Sequence, residues 1–178
     1  MTRLFTAVAL TALALVPVTA TAQGSANPYT DAVKAQLAQV KTPIVRTAEK
    51  VPEDLYSFRP TPEVRSLGQL IGHIADANFN ICGAGGGEKP PANGGIEKTT
   101  SSKAALQKAL ADSFAFCEKV LAGMDDKKGT EIVKFITGPT PRLMVLAFNN
   151  SHDYEHYGNL VTYMRLKGIV PPSSEPAK

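Results

Sequence analysis

The 178-residue chain has no block of like charge. Its 19 Lys and Arg stand against 16 Asp and Glu, the basic residues are scattered, and the aromatics do not interleave with them. That pattern excludes a nucleic-acid-binding surface, which needs clustered cations against phosphate and aromatic platforms for bases. Long apolar runs are also missing after the first residues. The opening block LFTAVALTALALVPV is shorter and richer in alanine than the ~20 residues that comfortably cross a bilayer, so no stable membrane anchor is expected. Cysteine is confined to Cys82 and Cys117, and histidine to His73, His152 and His156.

What the opening block does offer is a secretory signal. A basic residue, Arg3, precedes the apolar stretch, and Ala20-Thr21-Ala22 supplies the small-residue pattern at which signal peptidase cuts. Residues 1–22 are therefore expected to be a signal peptide and the mature protein to be periplasmic or secreted. Removal of 22 of the 178 residues leaves 156, enough for one domain with a single core. Export would carry Cys82 and Cys117 into an oxidising compartment, where an even pair is a disulfide candidate. The alternative is two buried thiols acting as small apolar side chains.

Four helices are legible in the mature chain. Asn27-Pro28 looks like a cap followed by proline at the first helical position, and Ala32, Val33, Leu37, Val40, Ile44 and Val45 then recur at helical spacing. Pro43 inside that pattern removes a backbone donor and is expected to kink the helix or restart it. VPEDLYSFRPTPEV, with prolines at 52, 60 and 62, is expected to be an extended connection. Ser66 can cap a second helix with Leu67, Leu70, Ile74, Ala77 and Ile81 on one stripe, broken by GAGGGEKPPANGG. That glycine-rich break follows a helix and opens no Gly-Lys-Ser/Thr, so it is a loop and not a phosphate cradle.

Ser101 or Ser102 can cap a third helix, whose stripe of Leu106, Leu110, Phe114, Cys117, Leu121 and Met124 turns Cys117 to the core. Thr140-Pro141 repeats the cap-plus-proline signature before the last helix, which Gly168 should end. No convincing sheet is expected between them.

The histidines carry the chemistry. At 100° per residue His152 and His156 lie about 40° apart on one face, and His73 borders the apolar stripe of the second helix. Two imidazoles at i and i+4, joined by a third from a facing helix, offer three neutral nitrogens in the arrangement that zinc and similar divalent ions accept, with a position open for water or substrate. The bland alternative is three separate histidines, each satisfied in the core or by solvent. His152-Asp153-Tyr154-Glu155-His156 also fits the H-x-x-E-H pattern of inverted zinc peptidases, which makes Glu155 a weak catalytic candidate as general base; no downstream acidic ligand supports it. Asp76 is either a partner to a ligating His73 or, more simply, an exposed helix charge. Ser151-His152-Asp153 is no hydrolytic triad, since adjacent helical residues point apart.

Around these residues the chain resembles the DinB-like superfamily, damage-inducible proteins related to YfiT-type metalloenzymes. The resemblance lies in FRPTPEVRSLGQLIGHIADANF around His73 and in FNNSHDYEHYGNLVTYMRLKGIVPPSS around His152 and His156, and it runs from about residue 27 to residue 174. It implies an all-α four-helix bundle in up-down-down-up order, with zinc or nickel held by His73, His152 and His156. It also implies a small-molecule partner of unknown identity, a thiol among the candidates, since characterised relatives include thiol-dependent transferases and isomerases. Pro43 departs from the smoother first helix of the family. Three functions follow for comparison: a metal-dependent enzyme of the thiol-dependent transferase or hydrolase type, a non-catalytic stress-associated protein that metal stabilises, and an H-x-x-E-H metallopeptidase. Bundles of this size often pair, which makes a homodimer one candidate assembly; the sequence leaves the oligomeric state open.

Overall fold

Local signals in the chain set most of the helix boundaries in the computed structural model, which describes residues 25–91, 94–136 and 138–176. The expected signal peptide lies outside the described residues. Helix α1 (Pro28–Lys50) has proline in its first turn. Asn27 does not cap its own helix; its Oδ1 accepts the backbone N–H of Asp126, whose carboxylate in turn accepts the backbone N–H groups of Thr30 and Tyr29. Two helix starts thus cap each other, α1 and the short α5 defined below. Pro43 does not restart α1, which continues through it, and Thr47 Oγ1 donates to the Pro43 carbonyl at 2.8 Å.

Helix α2 (Leu67–Gly86) opens on a full capping box, in which Ser66 Oγ accepts from the Gln69 N–H and the Gln69 side chain accepts from the Ser66 N–H. It does not break at Gly83, as expected, but runs on to Gly86. Glycine is needed there for approach: a Cβ on Gly85 would stand 2.8 Å from Leu146 Cδ2, and one on Gly86 2.8 Å from Val120 Cγ1. The helix then ends on Gly87 at φ 71°, a left-handed cap. Its buried face is broader than the expected stripe. Ile71, Ala75, Phe79 and Cys82 are buried beside Leu70 and Ile74, whereas Ala77 and Ile81 are only partly covered, because α2 packs against two partners at once.

Those partners are α4 (Lys103–Ala122), capped by Ser102, and α6 (Arg142–Leu166). Between them lie α3 (Ile96–Thr99), α5 (Asp126–Gly129) and an antiparallel hairpin, β1 (Ile132–Phe135) with β2 (Gly138–Pro141), in which Phe135 pairs with Gly138. The hairpin corrects the expectation of no sheet; Ile-Val-Lys-Phe is a run of strand formers too short to declare a period. It also takes Thr140, so α6 starts at Arg142 with Pro141 as its uncapped boundary. The connection after α1 is not wholly extended either, since Glu53–Ser57 forms a 3₁₀ turn that buries Tyr56 against the Ala48 carbonyl.

Contacts along the long helices fix their directions. Gln107, near the start of α4, donates to the Ala48 carbonyl near the end of α1, so these two run antiparallel. Asn150 donates to the Val33 carbonyl, and Lys50 reaches the Val170 carbonyl just past α6, so α1 and α6 run parallel. Gly68 meets Leu106 while Cys82 meets Cys117, making α2 and α4 parallel; Gly85 meets Leu146 while His73 meets His152, making α2 and α6 antiparallel. The result is an all-α, up-down-down-up four-helix bundle. Val40, Ile44, Ile71, Ile74, Leu106, Phe114 and Leu160 are fully enclosed at its centre. No helix among the described residues is long and apolar enough to cross a membrane.

Cys82 and Cys117 are joined across α2 and α4, with Cα atoms 5.3 Å apart and a sequence separation of 35. Closing a loop of that length stabilises by about 3.8 kcal/mol in the chain-entropy account. Reduction, or a Cys82→Ala/Cys117→Ala double variant, should therefore lower the urea midpoint by the equivalent of roughly 3 to 4 kcal/mol, read by circular dichroism with and without reductant.

Candidate metal centre

The antiparallel contact of α2 and α6 brings the three histidines together. His73 comes from the first half of α2, and His152 and His156 come from successive turns of α6. The Nε2 atoms of His73 and His152 are 3.3 Å apart, those of His152 and His156 are 3.0 Å apart, and candidate ligand atoms of all three lie within 4.8 Å of one another. Two nitrogens bound about 2.1 Å from one ion stand roughly 3.0 Å apart at a right angle and roughly 3.4 Å apart at the tetrahedral angle. The His73–His152 and His152–His156 pairs fall in that interval, and the three-His group could hold a divalent ion.

Second partners orient two of the rings. His73 Nδ1 is 2.9 Å from Glu97 Oε2 and His156 Nδ1 is 3.2 Å from Asn159 Oδ1. Both oxygens accept, so each ring carries its proton on Nδ1 and turns the lone pair of Nε2 toward the common centre. His152 Nδ1 is buried with no hydrogen-bond partner among the described residues. Burial, followed by the charges of His156, His73 and Arg65, lowers the pKa of His152 to about 4. Burial likewise lowers that of His156, against the opposing pull of Asn159 and Glu155. Both rings are thus held in the neutral form that metal ligation requires.

Glu97 was not legible as part of this site, since it follows the glycine-rich loop and belongs to a four-residue helix. Its two oxygens divide the work: Oε2 meets His73, and Oε1 accepts from Arg65 Nε at 2.9 Å. Burial acts to raise its pKa, and the hydrogen bonds from Arg65 and His73 outweigh that, leaving the carboxyl below its ordinary value. Asp76 is not a free helix charge. Its two oxygens accept the backbone N–H groups of Ile96 and Glu97, each at 3.0 Å, and so cap α3 from a neighbouring helix where Gly95 has no side chain to do it. Gly72 lets α3 settle, because a Cβ there would lie 2.8 Å from Glu97 Cα. Asp76 and Gly72 therefore place Glu97, and Glu97 orients His73.

Next to Glu155, whose side chain is exposed and hydrogen-bonded to nothing among the described residues, Asp153 is buried on the opposite side of α6. One end of the Asn78 amide lies 3.2 Å from both Asp153 oxygens and 2.8 Å from the Asn149 amide nitrogen, while its other end reaches Ser113 Oγ. Burial pushes the Asp153 carboxyl well above its ordinary pKa, which favours its neutral form in this buried polar cluster. Beside the histidines a cleft of about 680 Å³ opens between Pro60, Val64, Arg65, Leu70, Glu97, Asn159 and Tyr163. Two of its walls are the residues that hold His73 and His156.

The structure is similar to that of a DinB-like protein from Bacillus cereus, with a TM-score of 0.71 and 18% identity over 80% of this chain and 95% of the other. It is also similar to a conserved protein from Enterococcus faecalis, with a TM-score of 0.64 and 18% identity over 77% of this chain and 95% of that one. At this identity both likenesses speak for the fold. No curated protein matches the sequence. The sequence model of the DinB superfamily matches residues 36–160, a span that contains all three histidines, Glu97 and both cysteines, and the chain accordingly belongs to the DinB superfamily.

Proposed function

We propose that this is an exported protein that binds one divalent metal ion, zinc or nickel, through Nε2 of His73, His152 and His156, and that it uses the ion in transfer or hydrolysis on a small molecule, a thiol among the candidates. The observation that carries the proposal is the convergence of three imidazoles from two helices, their candidate ligand atoms within 4.8 Å of one another, with the rings of His73 and His156 oriented by oxygen acceptors at Nδ1. A bound ion at such an open site supplies Lewis acidity, lowering the pKa of a water or thiol that approaches it. The chain's own residues supply the rest: Glu97 and Asn159 fix the ring orientations, and the neighbouring cleft gives a small molecule its approach. Export is supported by the leader pattern and by a disulfide that an oxidising compartment would maintain.

A non-catalytic role, with metal stabilising the bundle, is the second reading, and it draws on the site's position across two helices. The peptidase reading has less support, because Glu155 points to solvent and lacks the hydrogen-bond reach that a general base needs.

Elemental analysis of the mature protein, purified without chelator or a histidine tag, should find one zinc or nickel per chain, and His156→Ala should abolish it. Metal-free wild-type protein that takes up no ion on titration would refute the proposal. A panel of thiol and ester substrates separates the first two readings. Turnover lost in a folded His73→Ala variant supports the enzyme, whereas silent panels with a strong fall in melting temperature on chelation support the stabilised binder.

The pH dependence follows from the lowered histidine values. An ordinary imidazole takes a proton as pH falls through about 6.5, but His152 resists until about pH 4 and His156 also titrates below its ordinary value. Metal affinity, measured by competition with a chromophoric chelator, should thus change by less than one proton's worth per pH unit between 7 and 6, then fall steeply toward pH 4. The outer shell has its own test. Asp76→Asn and Gly72→Ala leave every ligand in place yet disturb α3, so each should weaken metal binding about tenfold with the helical circular dichroism unchanged.

A further inference from the structure

The cleft beside the histidines contains hydrogen-bond donors that nothing in the fold consumes. Arg65 gives only Nε to Glu97. Its two Nη groups have no acceptor among the described residues, and the side chain is 40% exposed on the cleft wall. The backbone beneath it is anchored: Tyr163 donates its hydroxyl to the Arg65 carbonyl at 3.0 Å, and Ser66, the next residue, is the capping-box residue of α2. A guanidinium fixed at its base, permanently charged and with one edge unused is a fork for a planar anion.

The surroundings narrow the ligand. Leu70, Val64, Pro60 and the Tyr163 ring form apolar walls, and Tyr163 is itself held edge-on by Phe58. Two carboxylates share the cleft. Glu97 is already engaged by Arg65 and His73, and Glu63 is exposed at the rim. Arg59 is turned to the Gln69 side chain and the Pro62 carbonyl, and Lys167 lies over the Phe58 ring. Since only the Glu97 carboxylate and the His73 ring intervene, the guanidinium lies within roughly 10 Å of the metal-facing nitrogen of His73. A molecule held at Arg65 therefore lies near the three-histidine group, with Glu97 between the guanidinium and His73.

We propose that the cleft binds a small organic carboxylate, with its anionic group on the Nη edge of Arg65 and its apolar body against Leu70, Val64 and Tyr163. Arg65 is then the specificity-determining residue of the site. The placement of the ligand next to the histidines rests on the metal reading above; its recognition by Arg65 does not.

Benzoate is the probe, with benzamide as the uncharged control of the same shape. Binding is followed by chemical-shift titration of the full mature chain, both zinc-loaded and metal-free, with zinc content measured in parallel. Wild type should bind benzoate in both forms and ignore benzamide. Arg65→Gln should weaken benzoate at least tenfold and Arg65→Lys severalfold, since the lysine keeps the charge but loses the fork, while Glu63→Gln should bind as well as wild type or better. Benzoate binding that is unchanged in Arg65→Gln, absent in wild type, or matched by benzamide overturns the proposal. A wild-type chain that takes up no zinc but binds benzoate through Arg65 defeats the metal reading and leaves the anion site standing.

Discussion

The distance between α2 and α6 is set where their surfaces are smallest and most polar. Gly85 accepts Leu146 at one end of the contact, Asn78 meets Asn149 in the middle, and His73 meets His152 at the other. A larger residue at Gly85 would push the helices apart along their whole shared length. The amide pair in the centre fixes their register, since it is buried and must stay paired. Only with both conditions met do imidazoles from two helices come within 3.3 Å of each other.

Around that contact the protein has built an orienting layer from a segment outside the four long helices. The connection between α2 and α4 folds back over α2, and Asp76 holds it by backbone N–H groups. Glu97 therefore reaches His73 from a rigid turn and not from a free loop. Arg65 completes the layer on the far side of the carboxylate. The same few residues thus orient the histidine cluster from one side and line the cleft on the other.

The four long helices and the shared face of His152 and His156 were legible because their signals are periodic, while the bundle's order and the joining of His73 to that pair followed from the family resemblance. Apolar stripes and an i, i+4 histidine pair both follow from helix geometry. Glu97 and the role of Asp76 were hidden because they depend on where a glycine-rich loop returns, which no periodicity records. The glycines of α2 misled for a related reason. As isolated letters Gly83, Gly85 and Gly86 read as a break, but two crowding neighbours, Leu146 and Val120, make small residues a requirement inside the helix. The β1–β2 hairpin fell below the length at which alternation can be seen.

The covalent bond between Cys82 and Cys117 divides the molecule unequally. It staples α2 to α4 and leaves α1 and α6 without such a tie. The seam between stapled and unstapled helices passes through the histidine cluster, with His73 on one bank and His152 and His156 on the other. An ion seated there would act as a removable rivet across a boundary that sulfur leaves open, adding a second tie between α6 and the stapled pair.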